Sequence, residues 1–298
     1  MALKSVFNAM KREGYVIKDL DLHLLSLNEQ DNDRAIDVNA PSQIGKCLRQ
    51  RFYARTGVTR DSNSIDARTR RIFDNGTKTH ERLQQYLTEQ GMLLMDEIPV
   101  LNEYYNIQGH TDGLLAISKV EKAVLEIKSI NSNGFTQLKD AKEEHKQQGL
   151  SYVYCIEERR KELHDTYPDF ESFEADKDIL MKSYAKHYQH LKGGRKFTRE
   201  QKIQFQCDLH YRMDSILMKT TVPITKVVFL YENKDNQELK EYCVSSREAK
   251  SQETMSEVLG DCAKLNEFVL KDKVPPRGNT AKSSMECRFC PYSIECWN

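Results

Sequence analysis

The segment 122–130 limits what this chain can fold into more than any other stretch of its sequence. It is rich in aliphatic and β-forming residues, which predicts a strand, yet it also contains Glu126 and Lys128. Side chains alternate between the two faces of a strand, so Glu126 and Lys128 share one face while the apolar residues beside them point the other way. A carboxylate and an ammonium group therefore stand two residues apart in an otherwise apolar strand.

The patterns on either side of this segment predict an α/β (α+β) fold. Helices are predicted at about 42–55, 64–90, 141–158 and 249–271, and further strands at about 92–103, 105–118, 224–231 and 239–244. The region 160–220 is helical, polar and divided into blocks of charge. This order of elements predicts a mixed central sheet flanked by helices, with a helical insert.

A chain of 298 residues fits one large domain or two small ones, and we expect a single domain here. Neither an internal repeat nor a low-complexity linker divides the sequence. The predicted parts, in chain order, are an N-terminal helical part at 1–91, a core at 92–158, a helical insert at 159–222, the last strands and helix at 223–272, and a cysteine-containing tail at 273–298.

Composition argues against two classes of protein. No window approaches the roughly 18 apolar residues of a membrane span, and 39% hydrophobic residues, with 11 Phe, 14 Tyr and 1 Trp, can fill a core. Residues 1–20 carry several positive charges and no continuous apolar stretch, so we expect no secretory signal and an intracellular protein. The 45 basic and 45 acidic residues cancel, which would argue against a nucleic-acid partner only if they were evenly spread.

An aspartate precedes this strand, in the sequence Gly-His-Thr-Asp-Gly. The flanking Gly109 and Gly113 would let another backbone or a ligand approach Asp112 closely. If the two strands pair, Asp112 and Glu126 can converge on one hard cation, and oxygen ligands suit Mg²⁺ or Mn²⁺. Such an ion can activate water and stabilise charge on a phosphoryl group, with Lys128 assisting. The alternative is an exposed strand face with an ordinary Glu–Lys pair.

Two further positions add side chains to this cluster. His80 belongs to the apolar stripe of a long predicted helix, so it should face inward, either as a core histidine or as a third metal ligand. Gln148 and Tyr152 are four residues apart and share one face of a helix that can pack back beside the site. The stripe that contains His80 reads Phe73, Gly76, His80, Leu83 and Leu87.

These residues, in this order, resemble the successive motifs of the RecB-like branch of the PD-(D/E)XK nuclease superfamily. The matching positions are His80, Asp112, Glu126-Ile127-Lys128 and Gln148-x-x-x-Tyr152. The resemblance implies a restriction-endonuclease-like core in which the histidine, both carboxylates and the carbonyl of Ile127 hold the metal. It also implies that the lysine is catalytic and that the Gln/Tyr pair contacts DNA or supports the site.

Closely spaced cysteines in a chain expected to be intracellular are more often metal ligands than disulfides. Cys287, Cys290 and Cys296 lie near the C-terminus, and the best candidate for a fourth ligand is the distant Cys47. The set resembles iron–sulfur nucleases of the same branch, which include CRISPR-associated RecB-like exonucleases and AddB-type nuclease domains. The resemblance implies a [4Fe–4S] cluster that clasps the N-terminal helices to the tail. A four-cysteine zinc site is the alternative.

The charges of the chain are unevenly distributed. Residues 46–71 contain eight basic and two acidic residues, 181–200 contain six and one, and 161–180 contain two basic and seven acidic residues. Basic runs near a metal site can guide a phosphate backbone, and Phe52 and Tyr53 within the first run could stack on bases. We therefore expect DNA along 46–71, whereas for 181–200 a solvated helix face is equally compatible.

These features predict a Mg²⁺- or Mn²⁺-dependent DNA exonuclease that favours single-stranded DNA or ends, in recombination, repair, CRISPR or phage DNA metabolism. No P-loop motif is present, so unwinding would need a separate helicase or recombination protein. An oligomer is compatible with the sequence. The alternatives are a structure-specific endonuclease or RNA-directed nuclease of the same fold, and a non-catalytic iron–sulfur or zinc DNA-binding protein.

Overall fold

Within residues 15–27, 37–61, 66–194, 196–278 and 281–298, which the computed structural model describes, five strands form one sheet. They are β1 Leu93–Asn102, β2 Ile107–Ala116, β3 Lys122–Ile130, β4 Lys226–Asn233 and β5 Leu239–Ser245. Their order across the sheet is their order along the chain. Strands β3 and β4 run parallel, and the other neighbours are antiparallel, so the predicted mixed sheet is confirmed.

Helices flank this sheet, as predicted. In chain order they are α1 Tyr15–Leu27, α2 Leu48–Arg55, α3 Ala67–Glu89, α4 Ser132–Gln137, α5 Glu143–Thr166, α6 Phe170–Ala175, α7 Lys177–His187, α8 Arg199–Met218, α9 Ala249–Leu270, α10 Met285–Arg288 and α11 Ser293–Trp297. A separate 3-10 turn at Pro41–Gln43 precedes α2, so that helix begins later than the sequence predicts. Among the helices in these ranges, none combines the length and the apolar character needed to cross a membrane.

The two faces of the sheet bury separate apolar clusters. On one face, Leu114 and Val124 belong to the main core, together with side chains of α5, α8 and α9. On the other face, Leu125 and Ile127 pack against Leu83 of α3. Because both faces of β3 are covered, its sequence between Ala123 and Ile127 is apolar apart from Glu126.

Helix α3 is anchored at its start and in its middle. Asp66 caps the first turn, where its side chain accepts a hydrogen bond from the Thr69 N–H at 2.6 Å. Arg82 donates two hydrogen bonds, of 2.8 and 2.6 Å, to the buried carboxylate of Glu232 on β4. Leu83, the next residue, is buried against the sheet. The ion pair and this buried contact together fix the rotation of α3 relative to the sheet.

The polar segment between the third and fourth strands folds as α6, α7 and α8 and packs on α5. Arg159 of α5 donates three hydrogen bonds to Asp214 of α8, at distances of 2.5 to 3.2 Å. Tyr184 of α7 donates another hydrogen bond to the same carboxylate. Asp214 is fully buried, so its carboxylate joins three helices inside the protein.

We expect Asp214→Ala to lower the free energy of unfolding by about 3 kcal/mol, because it leaves the Arg159 guanidinium without its buried partner. Urea denaturation followed by circular dichroism measures this change. Asp208→Ala is the matched control, since Asp208 is exposed on the same helix. Equal stability of the two variants would contradict an anchoring role for the buried pair.

Candidate active site

The candidate site begins where β2 and β3 separate. Regular pairing of the two strands ends at Gly113 and Leu125. From there, side chains take the place of backbone partners: the Thr111 hydroxyl donates to the Leu125 carbonyl at 2.7 Å, and Asp112 Oδ2 accepts from the Ile127 N–H at 2.6 Å. The strands therefore form a fork that the Asp112 carboxylate bridges.

Glu126 and Lys128 lie on the β3 side of this fork. Glu126 is buried, and its Oε1 is 2.6 Å from Lys128 Nζ. Burial and the Asp112 carboxylate raise the pKa of Glu126 to about 7, although the Lys128 ammonium acts in the opposite direction. Two carboxylates that repel each other in a buried place create the negative potential that a bound cation would relieve.

His80 reaches the fork from α3, and its Nδ1 lies 3.0 Å from Asp112 Oδ1. Burial disfavours a charged imidazole here. The hydrogen bond to Asp112 and the charges of Asp112 and Glu126 outweigh that effect, so the pKa of His80 is raised. The inward-facing position on the helix stripe thus brings this ring to the same carboxylate that bridges the fork.

Gln148 and Tyr152 lie on the other side of the site, on α5. Both are buried, and Gln148 Nε2 donates to the Tyr152 hydroxyl at 2.9 Å. Gln148 Oε1 accepts from Lys128 Nζ at 3.1 Å, so both ends of the amide are engaged. Burial raises the pKa of Tyr152, which keeps its hydroxyl protonated. The pair can therefore hold the lysine in a fixed direction.

Two residues that the sequence patterns did not indicate also belong to this cluster. Gln84 Nε2 donates to the Asp112 carbonyl at 2.8 Å and lies 3.4 Å from Glu97 Oε1. The register of β1 and β2 puts Glu97 across from Asp112, and its φ of 46° is unusual for a non-glycine residue. Partial burial and the carboxylates of Asp112 and Asp96 raise the pKa of Glu97. If β1 and β2 had been paired as a hairpin from the sequence, the register would have indicated Glu97 as the neighbour of Asp112.

His145 adds a neutral polar group beside the lysine. Its Nδ1 is 2.7 Å from the hydroxyl of Tyr231, which neighbours Lys128 across the pairing of β3 and β4. Burial and the charges of Lys128, Lys142 and Lys46 lower the pKa of His145 to about 3. The imidazole is therefore uncharged at neutral pH.

The glycines beside Asp112 make room for other parts of the protein. A Cβ atom at Gly113 would lie 2.5 Å from Leu93 Cδ1, and one at Gly109 would lie 2.8 Å from Pro41 Cδ. Their absent side chains let β1 and the Pro41 turn pack closely on β2. The groups that closely approach Gly109 and Gly113, as predicted, are thus other residues of this chain.

The donor atoms at the fork suit a hard divalent cation. They are two carboxylates, one imidazole and the backbone of Ile127, whose N–H and C=O point to the same side of the strand. Oxygen-rich sets of this kind favour Mg²⁺ or Mn²⁺. In the described ranges, no three His, Cys, Asp or Glu side chains already stand in an ion-holding arrangement. The chemistry of these donor groups fits a divalent cation. To hold the ion, the side chains would have to turn toward one point.

The four cysteines selected from the sequence come from two segments that meet. Cys47 immediately precedes α2, and Cys287, Cys290 and Cys296 lie in and beside the two short helices of the tail. Burial raises the pKa of Cys290, and the neighbouring Cys47, Cys296 and Cys287 raise it further. The other three thiols therefore lie within electrostatic reach of Cys290. In the part of the chain that the structure covers, they do not stand at the mutual distances of a metal group.

The tail is also attached to α2 through contacts that do not involve thiol groups. Arg49 Nε donates to the Pro275 carbonyl at 2.7 Å, and Arg49 Nη1 donates to the Cys296 carbonyl at 3.4 Å. Tyr53 and Tyr292 pack together with a ring separation of 5.8 Å. These contacts bring the C-terminal cysteines to the N-terminal one.

Two arginines of the basic run 46–71 serve inside the protein. Arg51 and Arg55 are buried and donate hydrogen bonds to side chains of other segments. Phe52 and Tyr53 are only 3% and 4% exposed. The interpretation that these two rings stack on bases is therefore wrong, because the amphipathic α2 turns them toward the tail. The sequence did not indicate that these two rings are buried, because basic and aromatic residues are mixed in this short segment.

We expect the stability of the protein to depend on pH, because the charged form of Glu126 is unfavourable in its buried position. Its pKa in the folded protein, about 7, exceeds the ordinary value of 4.5, so the folded state binds more protons between these values and loses stability as pH rises through them. Glu126→Gln should lack this loss and, without divalent metal, be more stable than the parent at pH 8 by on the order of 1–3 kcal/mol. Urea denaturation at pH 5 and pH 8 measures the difference. A difference between the two proteins that does not change with pH would contradict it.

Comparison with protein-family models gives no match, and comparison with curated proteins gives none. Among solved structures, the chain is similar to the crystal structure of SSO0001, at 13% identity and a TM-score of 0.46 over 94% of this chain and 96% of the other. It is also similar to an alkaline exonuclease (LHK-Exo) from Laribacter hongkongensis, at 12% identity and a TM-score of 0.40 over 80% and 92%. Likenesses at this level do not define a function, so the residues of the chain itself must support it.

Proposed function

We propose that this protein is a metal-dependent DNA exonuclease that hydrolyses phosphodiester bonds and prefers single-stranded DNA or ends. One observation carries the proposal. The fork between β2 and β3 gathers Asp112, Glu126 and Lys128 at one point, with His80 on one side and Gln148 on the other. This combination of acidic, basic and imidazole groups suits the cleavage of a charged phosphodiester.

The metal of this proposal is Mg²⁺ or Mn²⁺, held by His80, Asp112, Glu126 and the Ile127 carbonyl. When bound, such an ion supplies positive charge that acidifies water and stabilises charge on the phosphoryl group. Asp112 has a second task, since it accepts the Ile127 N–H and keeps that backbone in place. The oxygen and imidazole donors of this set support the assignment.

Lys128 provides the cation that the protein itself contributes to the reaction. Its Nζ is fixed between Glu126 Oε1 and Gln148 Oε1, at 2.6 and 3.1 Å. An ammonium held in this way can neutralise charge that develops on a phosphate oxygen, or can orient the attacking water. Gln148 and Tyr152 keep it there, and they act through the lysine.

We further propose that Cys47, Cys287, Cys290 and Cys296 hold a [4Fe–4S] cluster. The positions of the other three thiols near Cys290 support this, as do the contacts of Arg49 that bring the tail to α2. Four thiolates are the ordinary ligand set of such clusters. A cluster at this place would join segments far apart in sequence and would stabilise the fold in the way a long-range crosslink does.

In the cell, the proposed substrate is DNA with free or frayed ends, in recombination, repair, CRISPR or phage DNA metabolism. Because the sequence has no P-loop motif, a separate helicase or recombination protein would supply any unwinding. Action inside the cell and assembly into an oligomer are further parts of this proposal.

We expect Lys128→Ala and Asp112→Ala each to lower Mn²⁺-dependent cleavage of linear single-stranded DNA by about 100-fold or more, because each removes charge that acts on the reacting phosphate. Cleavage is measured with end-labelled oligonucleotides, and circular single strands test whether ends are required. Lys119→Ala is the control, since Lys119 is an exposed lysine in the turn between β2 and β3. Undiminished cleavage by both variants would refute the proposed site.

We expect anaerobically purified protein to be brown and to contain iron, and Cys290→Ser to lose both the colour and the iron. The variant should also lose about 2–5 kcal/mol of stability, comparable to removal of a long-range crosslink. Cys243→Ser serves as control because Cys243 is an exposed cysteine on β5. Zinc without iron in the parent protein would contradict the cluster assignment.

A further inference from the structure

His145 lies beside the proposed catalytic lysine without being part of the fork. It precedes Gln148 by three residues on α5, so the two side chains share the helix face that holds Lys128. Its ring also packs on the ring of Tyr231, with a centroid separation of 5.6 Å, and Tyr231 neighbours Lys128 across the pairing of β3 and β4. Both contacts place the imidazole at the edge of the candidate active site.

The hydrogen bonds of Tyr231 determine which ring nitrogen of His145 carries the hydrogen. The Tyr231 hydroxyl accepts the Lys142 N–H at 3.1 Å and lies 2.7 Å from His145 Nδ1. Tyr231 is fully buried, and among the described residues His145 Nδ1 is the acceptor within reach of its hydroxyl hydrogen. Because a buried hydroxyl needs an acceptor, Nδ1 accepts, and the hydrogen of the neutral ring is on Nε2.

The Nε2–H of His145 is a donor that no acceptor of the described residues satisfies. The acidic atom closest to it in those ranges is Glu144 Oε1, at 3.6 Å, which is beyond hydrogen-bond distance. The Glu144 side chain is 53% exposed, and Nε2 is not among the buried polar atoms that lack a partner. This donor is therefore open to a molecule that arrives from solvent.

The charges around the ring favour an anion as that molecule. Lys128, Lys142 and Lys46 make the potential at His145 positive, and together with burial they lower its pKa to about 3. The ring is thus an uncharged N–H donor among positive charges. Lys142 is exposed and has no ion-pair partner within the ranges that the structure describes.

The three carboxylates at the start of α5 do not cancel this potential, because each lies beside a lysine of its own. The pairs, with their N–O distances, are Asp140 with Lys146 at 2.6 Å, Glu143 with Lys250 at 3.9 Å and Glu144 with Lys46 at 4.0 Å. These six charges balance, so Lys142 is an excess positive charge next to His145.

We propose that His145 positions the DNA strand by donating its Nε2 hydrogen to an oxygen of the phosphate next to the one that is cleaved. This inference rests on the proposed nuclease function and adds a positioning residue to it. One helical turn, about 5.4 Å, separates His145 from Gln148 along α5, so a phosphate at Nε2 is the neighbour of a phosphate at Lys128. Phosphate is the anion that recurs along the substrate, and N–H and ammonium groups are its usual partners.

Two substitutions at this position separate the donor from the contact with Tyr231. His145→Asn keeps an acceptor near the place of Nδ1 but has no donor at Nε2, so it should raise the KM for linear single-stranded DNA about tenfold. That change corresponds to about 1.4 kcal/mol. His145→Gln carries its amide to the place of Nε2 and should restore most of the affinity. The kcat should change little in both variants, because the contact is made before and during cleavage alike.

A phosphate analogue without charge tests the contact itself. Single-stranded oligonucleotides with one methylphosphonate at successive linkages from the end are bound in Mn²⁺ by the Lys128→Ala protein, in which cleavage is suppressed. At one linkage, the methylphosphonate should weaken binding about tenfold more in this protein than after His145→Asn is added. His164→Asn is the matched control, since His164 is a histidine about 28 Å further along α5 whose Nε2 lies 3.2 Å from the Leu217 carbonyl.

The outcomes separate this inference from the proposed function. Equal KM values for His145→Asn and His145→Gln, or a methylphosphonate pattern that does not depend on His145, would overturn the phosphate contact and leave the nuclease function standing. A lower kcat with an unchanged KM would also overturn it, because the residue would then act on the chemical step through Lys128. If the parent protein neither binds nor cleaves single strands, both proposals fail together.

Discussion

The hydrogen bond from the Ile127 N–H to the Asp112 carboxylate is the interaction on which the candidate site depends. Where β2 leaves β3, the strand would otherwise expose an unpaired backbone N–H in a part-buried place, which is costly. The carboxylate satisfies that N–H and keeps the strands apart. The same residue can therefore stabilise the end of the sheet and present its other oxygen to His80.

Each group around the fork is fixed by contacts some distance away. His80 depends on the rotation of α3, which the Arg82–Glu232 pair and the buried Leu83 set. Lys128 depends on Gln148, which the buried Tyr152 holds. The site is thus held by two helices that pack on opposite faces of one sheet. This arrangement lowers the stability of the fold, because Glu126 is buried and the Lys128 ammonium does not fully compensate its charge.

The balance of 45 basic against 45 acidic residues conceals very different uses of charge. Arg51 and Arg55 are buried in the packing of the N-terminal region, and Arg159 joins the helical insert to α5. Other arginines of the same run, such as Arg68, are exposed at the surface. A basic run in the sequence therefore does not by itself locate a nucleic-acid surface, because guanidinium groups also serve as multiple hydrogen-bond donors inside proteins.

Local periodicity in the sequence determined the elements and which of the candidate side chains share a face. Alternation along β3 put Glu126 and Lys128 on one face, the stripe of α3 turned His80 inward, and the spacing of four paired Gln148 with Tyr152, since all three follow from the repeat of a strand or helix. Sheet order, the fork and the neighbourhood of the four cysteines depend on contacts between distant segments, and only the tertiary structure decided them. The same holds for Glu97, which joins the site through the register of β1 and β2, and for Gln84, which reaches the Asp112 carbonyl from α3. It holds also for Phe73, which is exposed because α3 extends past the end of the sheet that would have covered it.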